Sequence, residues 1–193
     1  MKTVGILALQ GDFAAHEIAL ARAGASPLLV RDARAFKIID GLILPGGEST
    51  TMLKLLHYDD MMEALIEFAK KKPVFGTCAG AILLAKEVTN PPQESLGVVD
   101  ISVERNAYGR QNESRIAEIE MDPDFQKRIG AKKIEAVFIR APVIRKTGQN
   151  VTVLARYNGD PVLIEEGRHL VATFHPELTP DSCVHKFFLA KIR

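Results

Sequence analysis

Cysteine is scarce in this chain: its 193 residues hold two, Cys78 and Cys183. Two thiols cannot build a disulfide framework, so a reducing cytoplasmic setting is expected. An excess of one charge is also missing. Lys+Arg 25 against Asp+Glu 24 leaves a formal net charge of +1, whereas a dedicated nucleic-acid binder gathers a basic surplus on one face. No apolar run reaches the ~20 residues of a membrane span. The opening Met1-Lys2-Thr3-Val4-Gly5-Ile6-Leu7 lacks the apolar core and small-residue cleavage site of a secretory signal. No solenoid-type repeat or low-complexity tract divides the chain. No H-E-x-x-H or C-x-x-C spacing occurs, which argues against a metal site. These absences exclude membrane, secreted and fibrous classes and leave one domain over residues 1–193, large enough to bury a core.

Within it, the first half alternates apolar runs with amphipathic stretches. Thr3–Leu9, Pro27–Val30, Leu42–Leu44 and Pro73–Phe75 read as buried strands. Between them, Asp12 is placed to cap a helix that runs to Ala23 and stops at Gly24. Thr50–Lys72 reads as helix broken near His57–Asp59, and Ala79–Lys86 as a further helix. Such alternation predicts a three-layer α/β fold: a mostly parallel central sheet with helices on both faces. The second half adds an antiparallel extension. Val98–Glu104, Arg115–Met121 and Ala136–Ile139 read as strands, and Asn158-Gly159-Asp160 joins Val151–Tyr157 to Pro161–Glu165 as a hairpin. His169–Phe174 is the last strand and Ser182–Ile192 a closing amphipathic helix.

Gly76-Thr77-Cys78-Ala79-Gly80 follows a strand and opens a helix. That context makes it a nucleophile elbow, with a strained turn lifting the thiol clear of the sheet. The helix N-terminus favours a thiolate, and the Ala79 N–H is placed for a developing oxyanion. An isolated cysteine at such a junction is more often simply buried; glycines at both offsets reverse that preference. Cys183 has no such setting and reads as packing.

Of five histidines, His175 stands at a strand end in Phe174-His175-Pro176-Glu177, where open α/β sheets collect their reactive groups. The i, i+2 spacing lets Glu177 curl back onto the imidazole and orient it as a base. Taken alone, the tetrapeptide fits equally a loop histidine ahead of a turn. His16, His57 and His185 are assigned to helices as solvent-facing or capping residues, and His169 to an exposed turn. Two loops are compatible with binding or with plain turns. Pro45-Gly46-Gly47-Glu48-Ser49-Thr50 allows close backbone approach and a second oxyanion donor. Arg105–Gln111, rich in donors, suits an anionic group or a solvated loop. Ile139-Arg140-Ala141-Pro142 sets an arginine at a strand terminus. The basic stretch Gln126–Glu135 reads as a solvated face.

Taken in order, Leu9-Gln10-Gly11, Leu42–Met52, Gly76–Gly80, Glu104–Gln111, Phe138–Pro142 and Phe174–Thr179 resemble the class I, triad-type glutamine amidotransferases of flavodoxin-like fold. Within them the segments are most similar to the glutaminase-subunit family of pyridoxal 5′-phosphate synthase. The resemblance implies hydrolysis of L-glutamine to glutamate and ammonia through a thioester. Cys78 would be the nucleophile, His175 the proton relay and Glu177 its orienter. Gly47 and Ala79 would form the oxyanion hole; Gly47, Glu48, Ser49, Arg105, Ile139 and Arg140 would bind glutamine; Gln10 would act at the partner interface. It further implies ammonia transfer to a synthase (lyase) subunit in a hetero-oligomer, weak activity of the lone chain, and no cofactor. A glutaminase of another pathway, a silent partner-binding module and a cysteine peptidase are the competing readings. Intact Cys78, His175 and Glu177 argue against the silent module.

Overall fold

The computed structural model describes residues 1–107 and 114–193. Tyr108–Gln111 of the donor-rich loop therefore lie outside the described residues. The N-terminal half contains β1 (Thr3–Leu7), α1 (Phe13–Ala23), β2 (Ser26–Val30), β3 (Gly41–Leu44), α2 (Ser49–Tyr58), α3 (Met62–Lys71), β4 (Val74–Thr77) and α4 (Ala79–Leu84). There follow β5 (Ala85–Thr89), β6 (Val99–Glu104), β7 (Arg115–Glu118), β8 (Glu120–Met121), α5 (Pro123–Ile129), β9 (Glu135–Phe138) and β10 (Val143–Thr147). The chain ends with β11 (Val151–Tyr157), β12 (Asp160–Glu166), β13 (His169–Ala172) and α6 (Cys183–Lys191).

The main sheet has the order β2-β1-β3-β4-β13-β12-β11-β8. Its first five strands are mutually parallel, and β12, β11 and β8 extend it antiparallel. Side chains alternate across the sheet, so each strand feeds two cores. Val4 and Ile6 of β1, Phe75 of β4 and Leu170 of β13 meet α1, α5 and α6 on one face through Leu20, Phe125 and Phe188. Leu7, Leu44, Val74 and Val171 meet α2, α3 and α4 on the other, through Met52, Leu65 and Leu83. The expected three layers are present. The hairpin is also as expected, with Asn158 at φ 50° and Gly159 at φ 84° joining the facing pair Tyr157 and Asp160.

Four local expectations are corrected. The helix after the elbow ends at Leu84, and Ala85–Thr89 is a strand pairing with β6 in a small sheet ordered β10-β6-β5. Its burial does not alternate, since Ala85 and Val88 are inside and both Lys86 and Glu87 outside, with a register irregularity between Ala85 and Glu87; pairing with the parallel strand β6 makes it a strand. Arg115–Met121 breaks at Ile119, because β7 pairs with β9 while β8 joins β11 in the main sheet. Gln126–Ile129 is helical, in α5: the Asp122 carboxylate accepts from the Asp124 and Phe125 N–H groups and Pro123 starts the turn. Its lysines and arginine are exposed, as read. Finally, the Asp12 side chain makes no capping bond to α1.

His169 is buried inside β13 rather than exposed in a turn, and its Nδ1 accepts from the Val74 N–H at 3.3 Å. Burial, with the nearby charges of Arg168 and Lys191, lowers its pKa from 6.5 to about 4. A histidine depressed in the folded state favours folding above its unfolded pKa, and that contribution disappears as pH falls from 6.5 towards 4. His169→Gln should therefore flatten the acid-side fall in stability by up to about 1.4 kcal/mol per pH unit. Urea unfolding of both proteins across that window measures it; an unchanged slope refutes the assignment.

Candidate active site

The carboxyl ends of β1, β3, β4 and β13 deliver four loops to one edge of the sheet, as open α/β folds do. The loops are stitched together there. Asp12 N–H donates to the Gly46 carbonyl at 3.1 Å, and Cys78 N–H to the Ala172 carbonyl at 2.9 Å. Cys78 sits at φ 48°, ψ −103°, a strained conformation for a residue with a side chain, immediately before α4. The strain is held by packing: a Cβ on Gly80 would stand 2.0 Å from the Leu44 carbonyl oxygen, so α4 lies directly against β3. Cys78 is 7% exposed and lines a cleft of about 320 Å³. Its Sγ lies 3.8 Å from the Ile139 carbonyl oxygen.

His175 and Glu177 complete the arrangement from the loop after β13. The His175 Nδ1–H donates to Glu177 Oε1 at 2.7 Å, with both side chains buried. The imidazole lies against Gly46, where a Cβ would stand 2.3 Å from His175 Cε1. Burial alone depresses the His175 pKa, but hydrogen bonding to Cys78 and Glu177 and the negative charge on both outweigh it. The result is a pKa raised to about 10. The His175 backbone N–H donates to the Val137 carbonyl at 2.8 Å, which docks β9 and the Ile139-Arg140 turn beside the thiol.

Gly47, Glu48, Ser49, Ala79, Arg105, Ile139 and Arg140 line the same cleft as Cys78 and His175, together with Gln10. Arg140, at φ 44°, pairs with Glu48 at 2.6 Å, and Arg105 reaches Thr50 Oγ1 at 2.9 Å. The Gln10 carbonyl accepts from the Glu48 N–H at 2.9 Å, and Ser49 donates to Gln93 Oε1 at 2.9 Å. The cleft is thus polar, with cations and anions among its lining residues; in the first turn of α4 the Ala81 and Ile82 N–H groups donate to the Cys78 carbonyl, while those of Ala79 and Gly80 have no acceptor within the helix.

Sequence reading missed Asp12, whose carboxylate lies 3.9 Å from His175 Nδ1 at the cleft wall. Oxygen and nitrogen atoms of Asp12, His175 and Glu177 fall within 4.8 Å of one another. The His175–Glu177 bond already occupies two of them, so a cation there would have to break it. His16 and His185, expected towards solvent, are fully buried behind the site. The signal was present for His16: it shares a helical stripe with buried Ala19 and Leu20. Cys183 is half-buried against the α1–α6 core, as read, and burial followed by Asp181 pushes its thiol up to about 12.

Residues 6–193 match the SNO glutamine amidotransferase family. The pyridoxal 5′-phosphate synthase subunit PdxT of Solibacter usitatus is 65% identical over 192 residues, covering 100% of each chain. The subunit of the same name from Thermotoga maritima is 50% identical over 191 residues, or 98% of this chain and 99% of that one. A crystal structure of a glutamine amidotransferase superposes with a TM-score of 0.89 at 44% identity, over 98% of each chain. PurLQS from Thermotoga maritima superposes at 0.73 with 16% identity over 100% of each chain, a likeness of fold alone. Matched from end to end in sequence and in backbone, the chain belongs to the SNO glutamine amidotransferase family.

Proposed function

We propose that this glutamine amidotransferase releases ammonia from L-glutamine through a Cys78-His175-Glu177 triad and passes it to the synthase subunit of pyridoxal 5′-phosphate synthase. The observation that carries the reading is the buried His175–Glu177 bond of 2.7 Å beside a cysteine held at φ 48°. Cys78 Sγ attacks the side-chain amide carbon. Negative charge gathers on the amide oxygen, where N–H groups of Gly47 and Ala79 stabilise it. His175 protonates the departing ammonia, leaving a thioester at Cys78, and then takes a proton from the water that hydrolyses it. Glu177 keeps Nδ1 of His175 protonated and aims Nε2 at the sulfur. Arg105 and the Glu48–Arg140 pair supply opposite charges for the carboxylate and ammonium of the amino acid, with Ser49 and the Ile139 backbone beside them. Gln10, bonded to Glu48 N–H, couples the partner-facing loop to the oxyanion donors.

Family membership and relatives carrying the name of a pyridoxal 5′-phosphate synthase subunit support this pathway. In this reading residues 1–193 act as one glutaminase domain in a cytoplasmic hetero-oligomer, with no cofactor in this subunit. Among the described residues no helix is long and apolar enough to cross a membrane.

Ammonia and glutamate release, with and without the synthase subunit, tests the whole reading. Release should rise when the synthase is added and vanish in Cys78→Ala; activity indifferent to that synthase reassigns the pathway. His175→Asn should cost on the order of 10³-fold or more in kcat and Glu177→Gln less, since an orienter supplies part of a triad. The reverse ranking contradicts the roles. Gly46→Ala should reduce kcat by about 100-fold or more in a folded protein, because its Cβ occupies the space of the imidazole. Near-normal turnover in that variant, with circular dichroism unchanged, would remove Gly46 from the account.

A further inference from the structure

Behind the cleft, two histidines that the chemistry above does not use form a buried polar chain. His185 Nε2 lies 3.1 Å from His16 Nδ1, and His16 Nε2 lies 3.1 Å from Thr77 Oγ1. The same His16 Nε2 is 3.4 Å from Glu177 Oε2, the carboxylate oxygen that His175 does not use. That oxygen is buried and has no hydrogen-bond partner among the described residues. Both imidazoles are fully enclosed, and burial lowers the pKa of each, His185 to about 4. Each ring is therefore neutral and carries one N–H.

Two proton arrangements connect such a chain, and the carboxylate decides between them. If His16 donated from Nδ1, its Nε2 lone pair would face an anionic oxygen, and His185 Nδ1, which has no partner, would bury an unpaired N–H. If His185 Nε2–H donates to His16 Nδ1, both penalties disappear. His16 Nε2–H then donates to Thr77 Oγ1 with Glu177 Oε2 beside it at 3.4 Å, leaving one unpaired acceptor nitrogen on His185.

We infer that His16 is a positioning residue of the glutaminase: its Nε2–H, 3.4 Å from the otherwise unpartnered Glu177 Oε2, attracts that oxygen electrostatically, holds the plane of the carboxylate, and so holds the imidazole that Glu177 orients. The inference rests on the triad reading. Thr77 brings the residue before Cys78 into the same chain, so the orienter and the nucleophile are set from one buried imidazole. Nothing in the chain touches the cleft, so turnover changes when it is cut and substrate binding does not.

The test uses the full chain with the synthase subunit. His16→Phe should lower kcat about 10–100-fold and leave the KM for glutamine within about twofold. His16→Gln places an amide N–H near the position of Nε2 and should recover activity to within about threefold of wild type. In a Glu177→Gln background, His16→Phe should cost less than about twofold, since the residue it acts through has lost its charge. Equal losses in both backgrounds, a change confined to KM, or no rescue by glutamine overturns the inference. If the phenylalanine variant does not fold, His16→Asn takes its place, keeping a partner for His185 and withdrawing the donor from Glu177. A wild-type chain with no Cys78-dependent ammonia release would instead defeat the triad reading itself.

Discussion

A buried carboxylate is expensive to keep in a protein interior unless its oxygens are met by donors. Glu177, 6% exposed, imposes that condition on everything around it. One oxygen is met by His175 at 2.7 Å; the other has no hydrogen-bond partner among the described residues and faces His16 Nε2 at 3.4 Å. This arrangement requires that α1 pack tightly enough to bring His16 under the sheet edge, that α6 support His16 through His185, and that the loop after β13 double back over two residues. The cores on the two faces of the sheet serve this requirement as much as they serve stability.

The same edge shows why so many residues there are small. Gly46 leaves room for the imidazole, and Gly80 lets α4 start against β3, which in turn sets the strained turn at Cys78. A side chain at Gly46 would displace His175, and one at Gly80 would lift the helix off the sheet. Charge is disposed with similar economy. The Glu48–Arg140 pair bridges loops from β3 and β9 across the cleft, and its exposure leaves it little to contribute to stability.

Legibility varied with the range of the interactions involved. The elbow was visible because glycines before and after Cys78 act within one turn of chain. The His175–Glu177 pair was visible because a single residue, Pro176, separates them. The Asn158-Gly159 turn was visible because left-handed backbone favours those residue types. The strand at Ala85–Thr89 was not, because Ala85-Lys86-Glu87-Val88-Thr89 is neither an apolar run nor a strict alternation, and only its pairing with β6 makes it a strand. His16 and His185 were assigned to solvent by residue type, although the stripe His16, Ala19, Leu20 pointed inwards.

By itself, then, the sequence determined the elements, the alternation that makes a parallel sheet with two cores, and the local geometry around Cys78 and His175. Those follow from backbone preferences and side-chain periodicity, which act over a few residues. Only the tertiary structure decided that Cys78 and His175, 97 positions apart by their numbers, share a cleft. Tertiary packing also decided that Arg140 pairs with Glu48, that Ile119 is where the chain changes sheets, and that two histidines stand behind the triad. Spacing along a chain carries no information about distance once it exceeds a helical turn or a hairpin; the packing of α1 and α6 against the sheet supplies it.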